Sequence, residues 1–522
     1  MYTPSTYRRQ TYFQINKLMG KLLFGCISCA VVCVAAGAWA QTKVTTWHYN
    51  NARTSANTTE KVLTPANVNV KTFGKLFTKS VDGLVVGHAL YLPDVNIPNK
   101  GLHNVVYVAT MNDTVYAFDA NSGTTSALWV KSLLPLGATA VPVSVQGCSG
   151  TTAFTQIGIV STPVIDPSSN TIYVVSSTYE SSKVVHRLHA LDVTTGTERT
   201  ASPVVIKGSY TLNGTTYNFV DTHQMNRPGL LLVNGNVYVA FGSPSCNGSD
   251  QGWIMAYNKT SLLPAGAFDD EPGGSFAAIW QKGAGISADP SGHIWACTGE
   301  GGFSPGVKLA ISVFKLTQNG NGLALLDWFT PYNWQALSNN DADLNNGVVI
   351  LPPQPGSHPY ELIAVGKRGT IYLLDRTNLG HFCATCTTAD TQIVQELPGV
   401  VPGTGTPVYW NQRVYFTSGS KVEMYPLNQG ILGTPTLSTW VPGGGHAIIS
   451  ANGSNDAVFW NLAGGVLFAL DAKTLGLLYR SDQAANGRDK VPPLAHFATL
   501  IAADGKVFIG TQNSLVVYGL LP

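Results

Sequence analysis

Few side chains here could do chemistry, since only 11% of the 522 residues are charged. His88, His446 and His496 could share a metal ion or act as an acid/base group, because imidazole ligates metals and titrates near neutrality. Asp341-Ala342-Asp343-Leu344-Asn345-Asn346-Gly347 offers two carboxylates and three nearby amide or glycine positions, a set that suits a hard cation. Its glycine falls one position late for a calcium loop and no terminal glutamate follows, so Asp341 stands as a metal-ligand candidate on composition alone. Lys367 and Arg227 supply positive charge for an anionic ligand or cofactor. Each residue also has an ordinary structural use: turn capping for the aspartates, a solvated turn for Lys367, the polar lining of a wet channel for the histidines. These residues are spread from position 88 to position 496, so only the fold can bring them together.

One pattern recurs along the chain. An apolar strand leads through a turn to a strand with Tyr or Phe among β-branched residues, then through a short polar turn to a third strand ending near Asp. The clearest copy is Val105-Val106-Tyr107-Val108-Ala109-Thr110, then Thr114-Val115-Tyr116-Ala117-Phe118-Asp119, with Leu128-Trp129 opening a fourth strand. Further copies start at Thr171, Asn236, His293, Glu361, Arg413, Ala457 and Lys506, which makes eight. The last copy lacks a fourth strand, whereas Phe73-Gly74-Lys75-Leu76-Phe77-Thr78-Lys79 is a strand with no partners of its own. Pairing the two closes a ring and leaves no open edge. The expected fold is all-β: an eight-bladed β-propeller of four-stranded antiparallel blades, the N-terminal strand completing the C-terminal blade. Each innermost strand then starts on one face of the disc, and the turn between second and third strands lies on that face. His88, Arg227, Asp343, His446, His496 and Lys367 therefore converge on one funnel mouth. His446, His496 and His88 belong to consecutive blades and could meet near the axis.

The first 40 residues differ in kind. Arg8, Arg9, Lys17 and Lys21 precede an apolar run over 22–36, and Ala38-Trp39-Ala40 provides small residues before a cut at Gln41. This is the pattern of an export signal, with a single domain over 41–522 and a periplasmic or extracellular destination. The apolar run is shorter than a membrane span needs, and no later stretch reaches that length, so no span is expected in the mature chain. Without the signal, 27 basic residues face 29 acidic ones, a net charge of −2. No basic field exists to hold nucleic acid. Three of eight cysteines leave with the signal. Of the rest, Cys383 and Cys386 suit a local disulfide in an oxidising compartment, while Cys148, Cys246 and Cys297 have no evident assignment. Gly299-Glu300-Gly301-Gly302 lacks the strand-to-helix setting of a phosphate loop.

The repeat, with Val-Tyr-Val-Ala, a polar turn, Val-Tyr-Ala-Phe-Asp-Ala-x-x-Gly and then Leu-Trp, resembles that of pyrroloquinoline-quinone (PQQ)-type propellers. From residue 45 onward the chain also resembles secreted bacterial PQQ-like propellers of no settled activity, through Trp47-His48-Tyr49-Asn50-Asn51-Ala52-Arg53-Thr54, Leu63-Thr64-Pro65-Ala66-Asn67-Val68, Phe329-Thr330-Pro331-Tyr332-Asn333 and Gly510-Thr511-Gln512-Asn513-Ser514. The stretch Gly366-Lys367-Arg368-Gly369-Thr370 resembles quinoprotein alcohol dehydrogenases where a basic residue contacts the quinone. By that resemblance Asp343 would be the base that removes the alcohol proton, Lys367 would polarise the quinone, and Ca2+ would be bound beside it. The chain departs from those enzymes in having no adjacent Cys-Cys pair and no assignable Glu and Asn around the calcium. The expected function is thus an exported binding or scaffold module with a small-molecule, glycan or protein ligand at its funnel face. The alternative is a PQQ-dependent dehydrogenase of alcohols or sugars.

Overall fold

The computed structural model describes residues 41–146, 154–244, 250–439, 441 and 443–522. Residues 1–40, where an export signal is expected, with Cys26, Cys29 and Cys33, and also Cys148 and Cys246, lie outside these residues.

Blade 1 is the antiparallel series Leu90–Ile97, Gly101–Ala109, Thr114–Asp119 and Trp129–Ser132. The innermost strands of blades 2 to 8 are Val164–Asp166, Leu231–Val233, Ser287–Ala288, Val348–Ile350, Val408–Trp410, Ile448–Asn452 and Leu500–Ala503. The molecule is the eight-bladed all-β propeller that the repeat predicts. Blade 2 departs from four strands, carrying Thr139–Pro142 and Gln156–Ile157 as additions. Strands of the blade interior do not alternate between buried and exposed: Glu361–Val365 is buried at every position. Both faces of a blade pack against neighbouring blades, so apolar residues are favoured at every position of such a strand rather than at every second one.

The ring closes as the orphan strand requires. Phe73–Ser80 runs antiparallel to Ser514–Leu520, with Phe73 opposite Leu520 and Ser80 opposite Ser514. Phe73 is fully buried, its ring 5.3 Å from Trp460, 5.0 Å from Tyr479 and 6.3 Å from Tyr518. At the strand's far end the Lys79 ammonium donates to the carbonyls of Ser122 and Thr124 in blade 1. The closing strand therefore joins blade 8 to both neighbours.

The segment from Val44 to Asn57 fills the central channel and meets the inner edge of every blade. Val44 exchanges backbone hydrogen bonds with Tyr91, and Ile165 N–H donates to the Thr45 carbonyl at 2.7 Å. Asn51 Nδ2 donates to Leu232 O at 2.9 Å. The N–H groups of Ala288, Ile350, Tyr409 and Ile449 donate to the carbonyls of Asn51, Ala52, Thr54 and Ser55. In blade 8, Asn57 Nδ2 donates to Ala502 O at 3.0 Å. An innermost strand without this segment would expose unpaired backbone groups to the channel. The fully buried Arg53 guanidinium anchors the plug by donating to Ile286 O, Leu230 O, Trp47 O and Thr46 Oγ1. Glycine at 285 leaves room for it, since a Cβ there would lie 2.7 Å from Arg53 Nη2.

Cys383 and Cys386 form the expected disulfide, and Cys297 is a buried free thiol. Among the described residues no helix is long and apolar enough to cross a membrane.

Candidate functional site

The loops that enter the innermost strands and the turns between second and third strands do gather on one face. Asp343 precedes the innermost strand of blade 5, and Lys367 sits in that blade's turn between Glu361–Val365 and Ile371–Asp375. Lys367 N–H donates to the Asp343 carbonyl at 2.9 Å, and its ammonium pairs with Asp343 Oδ2 at 2.8 Å and with Asp341 Oδ1. Burial raises the Asp343 pKa above the usual carboxylate range, against the pull of Lys367. For Lys367 burial works downward, but Asp343 and Asp341 outweigh it and the pKa is raised.

Glu300 completes an acidic group with Asp341 and Asp343, whose ligand-capable oxygens all lie within 4.8 Å of one another. The glycine-rich stretch around it has a steric use: a Cβ at Gly299 would lie 2.9 Å from Asp343 Oδ1, and the next N–H, of Glu300, donates to that oxygen at 3.1 Å. Burial and the two aspartates push the Glu300 pKa up.

Two further cations line the same pocket. Arg227 precedes the innermost strand of blade 3 and is 9% exposed, its guanidinium carbon 3.5 Å from the Phe497 ring centroid and 5.4 Å from that of Trp280. Its Nε and Nη2 have no hydrogen-bond partner. Burial lowers its pKa to about 9, so it stays charged at neutral pH. Lys282 donates to Thr404 O at 2.7 Å, and burial, with the nearby Lys367 and Arg227 charges, lowers its pKa to about 8. The pocket that these cations share with the acids has a volume of about 250 Å3 and is walled by Trp280, Phe276 and Phe497. Four residues lining it, Phe276, Lys282, Asp341 and Phe497, have left-handed backbone with φ of 69°, 50°, 50° and 66°. Such conformations cost on the order of 1 kcal/mol or more outside glycine and concentrate at functional sites.

The histidines behave differently. His88 and His446 are buried at the axis on either side of the plug's stacked pair Trp47 and His48, with the His48 ring 5.6 Å from His88 and 5.9 Å from His446. His446 Nε2 donates to Lys282 O at 3.0 Å, and Thr406 Oγ1 lies 3.3 Å from Nδ1. His496 is exposed and packs edge-on against Phe497. The ring nitrogens of His88, His446 and His496 do not form a three-ligand group; among the described residues only Glu300, Asp341 and Asp343 do. Burial lowers the His88 pKa to about 3 and that of His446 to about 4, and depresses His48 as well, so all three are neutral.

The residues present do not fit a PQQ–calcium group. The Lys367 ammonium already lies between the carboxylates that a divalent cation would need, and it is turned to them rather than to a ligand. No adjacent cysteines exist to roof the ring.

Sequence reading brought Asp341, Asp343, Lys367 and Arg227 to this pocket but missed Glu300, Lys282, Trp280, Phe276 and Phe497. Glu300 lies between the second and third strands of blade 4, and Trp280 and Lys282 lie before its first strand. The positional rule that found Lys367 and Asp343 would have found these too, had the long loops of blade 4 been counted as part of the blade.

No protein-family model matches the sequence, and no curated protein does. Solved structures do resemble it. A quinohemoprotein alcohol dehydrogenase from Pseudomonas putida is 12% identical with a TM-score of 0.60, the match covering 92% of this chain and 80% of that one. A europium-containing methanol dehydrogenase is 13% identical with a TM-score of 0.56, covering 91% of this chain and 98% of that one. At this identity the likeness is one of fold: the chain shares the β-propeller architecture of quinoprotein dehydrogenases.

Proposed function

We propose that this protein is an exported binding module whose funnel mouth takes a small carboxylate ligand. The observation that carries the reading is Arg227: a buried guanidinium that lines the pocket between Phe497 and Trp280, with no carboxylate paired to it among the described residues and with Nε and Nη2 unpartnered. A charge removed from water without a counter-ion costs several kcal/mol, and a planar fork with two free donors matches a carboxylate. The aromatic faces offset part of that cost by cation–π attraction and fix the fork's orientation. A ligand carboxylate would supply the missing partner. Lys282, one loop away, adds charge to the same pocket.

The test is thermal unfolding of the purified protein with acetate, lactate, succinate and benzoate. A bound carboxylate at a hundredfold excess over its Kd stabilises by about 2.7 kcal/mol, a rise of a few degrees in Tm. Arg227→Gln should abolish the rise. No response to any carboxylate in the wild type would remove this reading. A dehydrogenase makes a different demand: protein reconstituted with PQQ and Ca2+ should reduce an artificial electron acceptor when given alcohols, and should lose that with Asp343→Ala. The expected result is no turnover, and turnover dependent on Asp343 would replace the binding reading.

A further inference from the structure

One pocket is lined by groups of both signs, and neither set is neutralised within itself. Arg227 and Lys282 form no ion pair with any carboxylate among the described residues; Lys282 meets only a backbone carbonyl. Three carboxylates, Glu300, Asp341 and Asp343, share the single ammonium of Lys367, which pairs with the two aspartates. The Glu300 carboxylate accepts no hydrogen bond among the described residues, and it lines the same pocket as Arg227. Beside it, Asn345 is 6% exposed and its Nδ2 lies 3.3 Å from Asp343 Oδ2, while its Oδ1 is unpartnered. Glu300 thus presents acceptors without a donor, and Arg227 presents donors without an acceptor. A ligand carrying one charge would satisfy one of them and leave the other unmet.

We propose that the ligand is a zwitterion of the α-amino acid class, its carboxylate held by Arg227 and its ammonium by Glu300 with the Asn345 carbonyl oxygen. This rests on the carboxylate reading of Arg227 and adds the second charge. Phe276, 48% exposed at the rim, offers an apolar wall for its side chain. Specificity follows from the geometry of unmet groups: a ligand without the ammonium leaves Glu300 unpaired, and one without the carboxylate leaves Arg227 unpaired. A site that binds through a buried Arg227 rejects analogues that lack the carboxylate more strongly than an apolar pocket rejects a missing methylene.

Calorimetric titration of the purified protein with three sets of compounds tests this: L-serine, L-leucine and L-phenylalanine, their N-acetyl derivatives, and their amides. At least one free amino acid is expected to bind tenfold or more tightly than both its N-acetyl acid and its amide. Glu300→Gln should weaken the amino acid tenfold or more and leave the N-acetyl acid unchanged, whereas Arg227→Gln should abolish both. N-acetyl acids binding as tightly as the free amino acids would overturn the zwitterion and leave the carboxylate reading standing. Failure of every carboxylate, with or without an ammonium, would overturn both. Should Arg227→Gln not fold, the wild-type series and the half-exposed Glu300→Gln decide the question alone.

Discussion

Glu361 is fully buried at the start of its strand, and neither carboxylate oxygen has a partner. Burial, with Asp375 nearby, raises its pKa to about 8. A group that holds its proton more tightly when folded contributes stability that is complete below its exposed pKa and is lost as pH rises towards 8. Glu361→Gln should therefore unfold like the wild type at pH 4 and be more stable at pH 9, by on the order of a few kcal/mol, in urea titrations at both pH values. The axial histidines carry the opposite sign. His88 and His446 titrate near 3 and 4 in the folded protein, below the exposed value, so their contribution is present above pH 6.5 and is lost as pH falls towards 4. Acid unfolding should begin below pH 6, and His88→Gln should flatten that limb of the profile. At this scale the sequence was informative about residue type and poor about partners. Asp343 and Lys367 were legible because the entry to a blade's innermost strand and the turn between its second and third strands lie on the same face. The removal of His496 from the axial histidines was not, because side-chain direction at a loop depends on packing that Phe497 and Arg227 decide.

The plug and the closing strand are the elements on which the site depends. Arg53 is buried with carbonyl and hydroxyl partners only, and several blades share it. Arg53→Met should cost about 3–5 kcal/mol, because four or more acceptors lose their donor inside a dry channel. Phe73→Ala should cost a similar ~3–5 kcal/mol, by emptying the space between Trp460, Tyr479 and Tyr518. Both are read as shifts in urea midpoint. The closing strand was visible beforehand as a count: one strand without partners at one end, one place vacant at the other. The plug was not. Trp47-His48-Tyr49-Asn50-Asn51 has no strand alternation or helical period, since the segment crosses from blade to blade, and left-handed backbone at His48, Tyr49, Arg53 and Ser55 erases any local pattern.

For the whole molecule, closure of the ring converts scattered residues into one pocket, and the plugged channel leaves the funnel mouth as the place where they face a ligand. Repeat spacing was enough to foresee the ring because each blade must bury both faces against its neighbours. It could not reveal what the mouth binds, because that depends on which charges remain unanswered after folding. Export adds a separate expectation: mass spectrometry of the protein recovered from outside the cytoplasm should show a chain beginning at Gln41, and retention of residues 1–40 would contradict it. The most direct measurement of the central claim is a crystal structure of the protein soaked with free selenomethionine, whose selenium marks its position by anomalous scattering. A selenium peak is expected in the funnel mouth, with the ligand carboxylate within ~3 Å of the Arg227 guanidinium. Ordered water alone on that guanidinium at saturating ligand would contradict it.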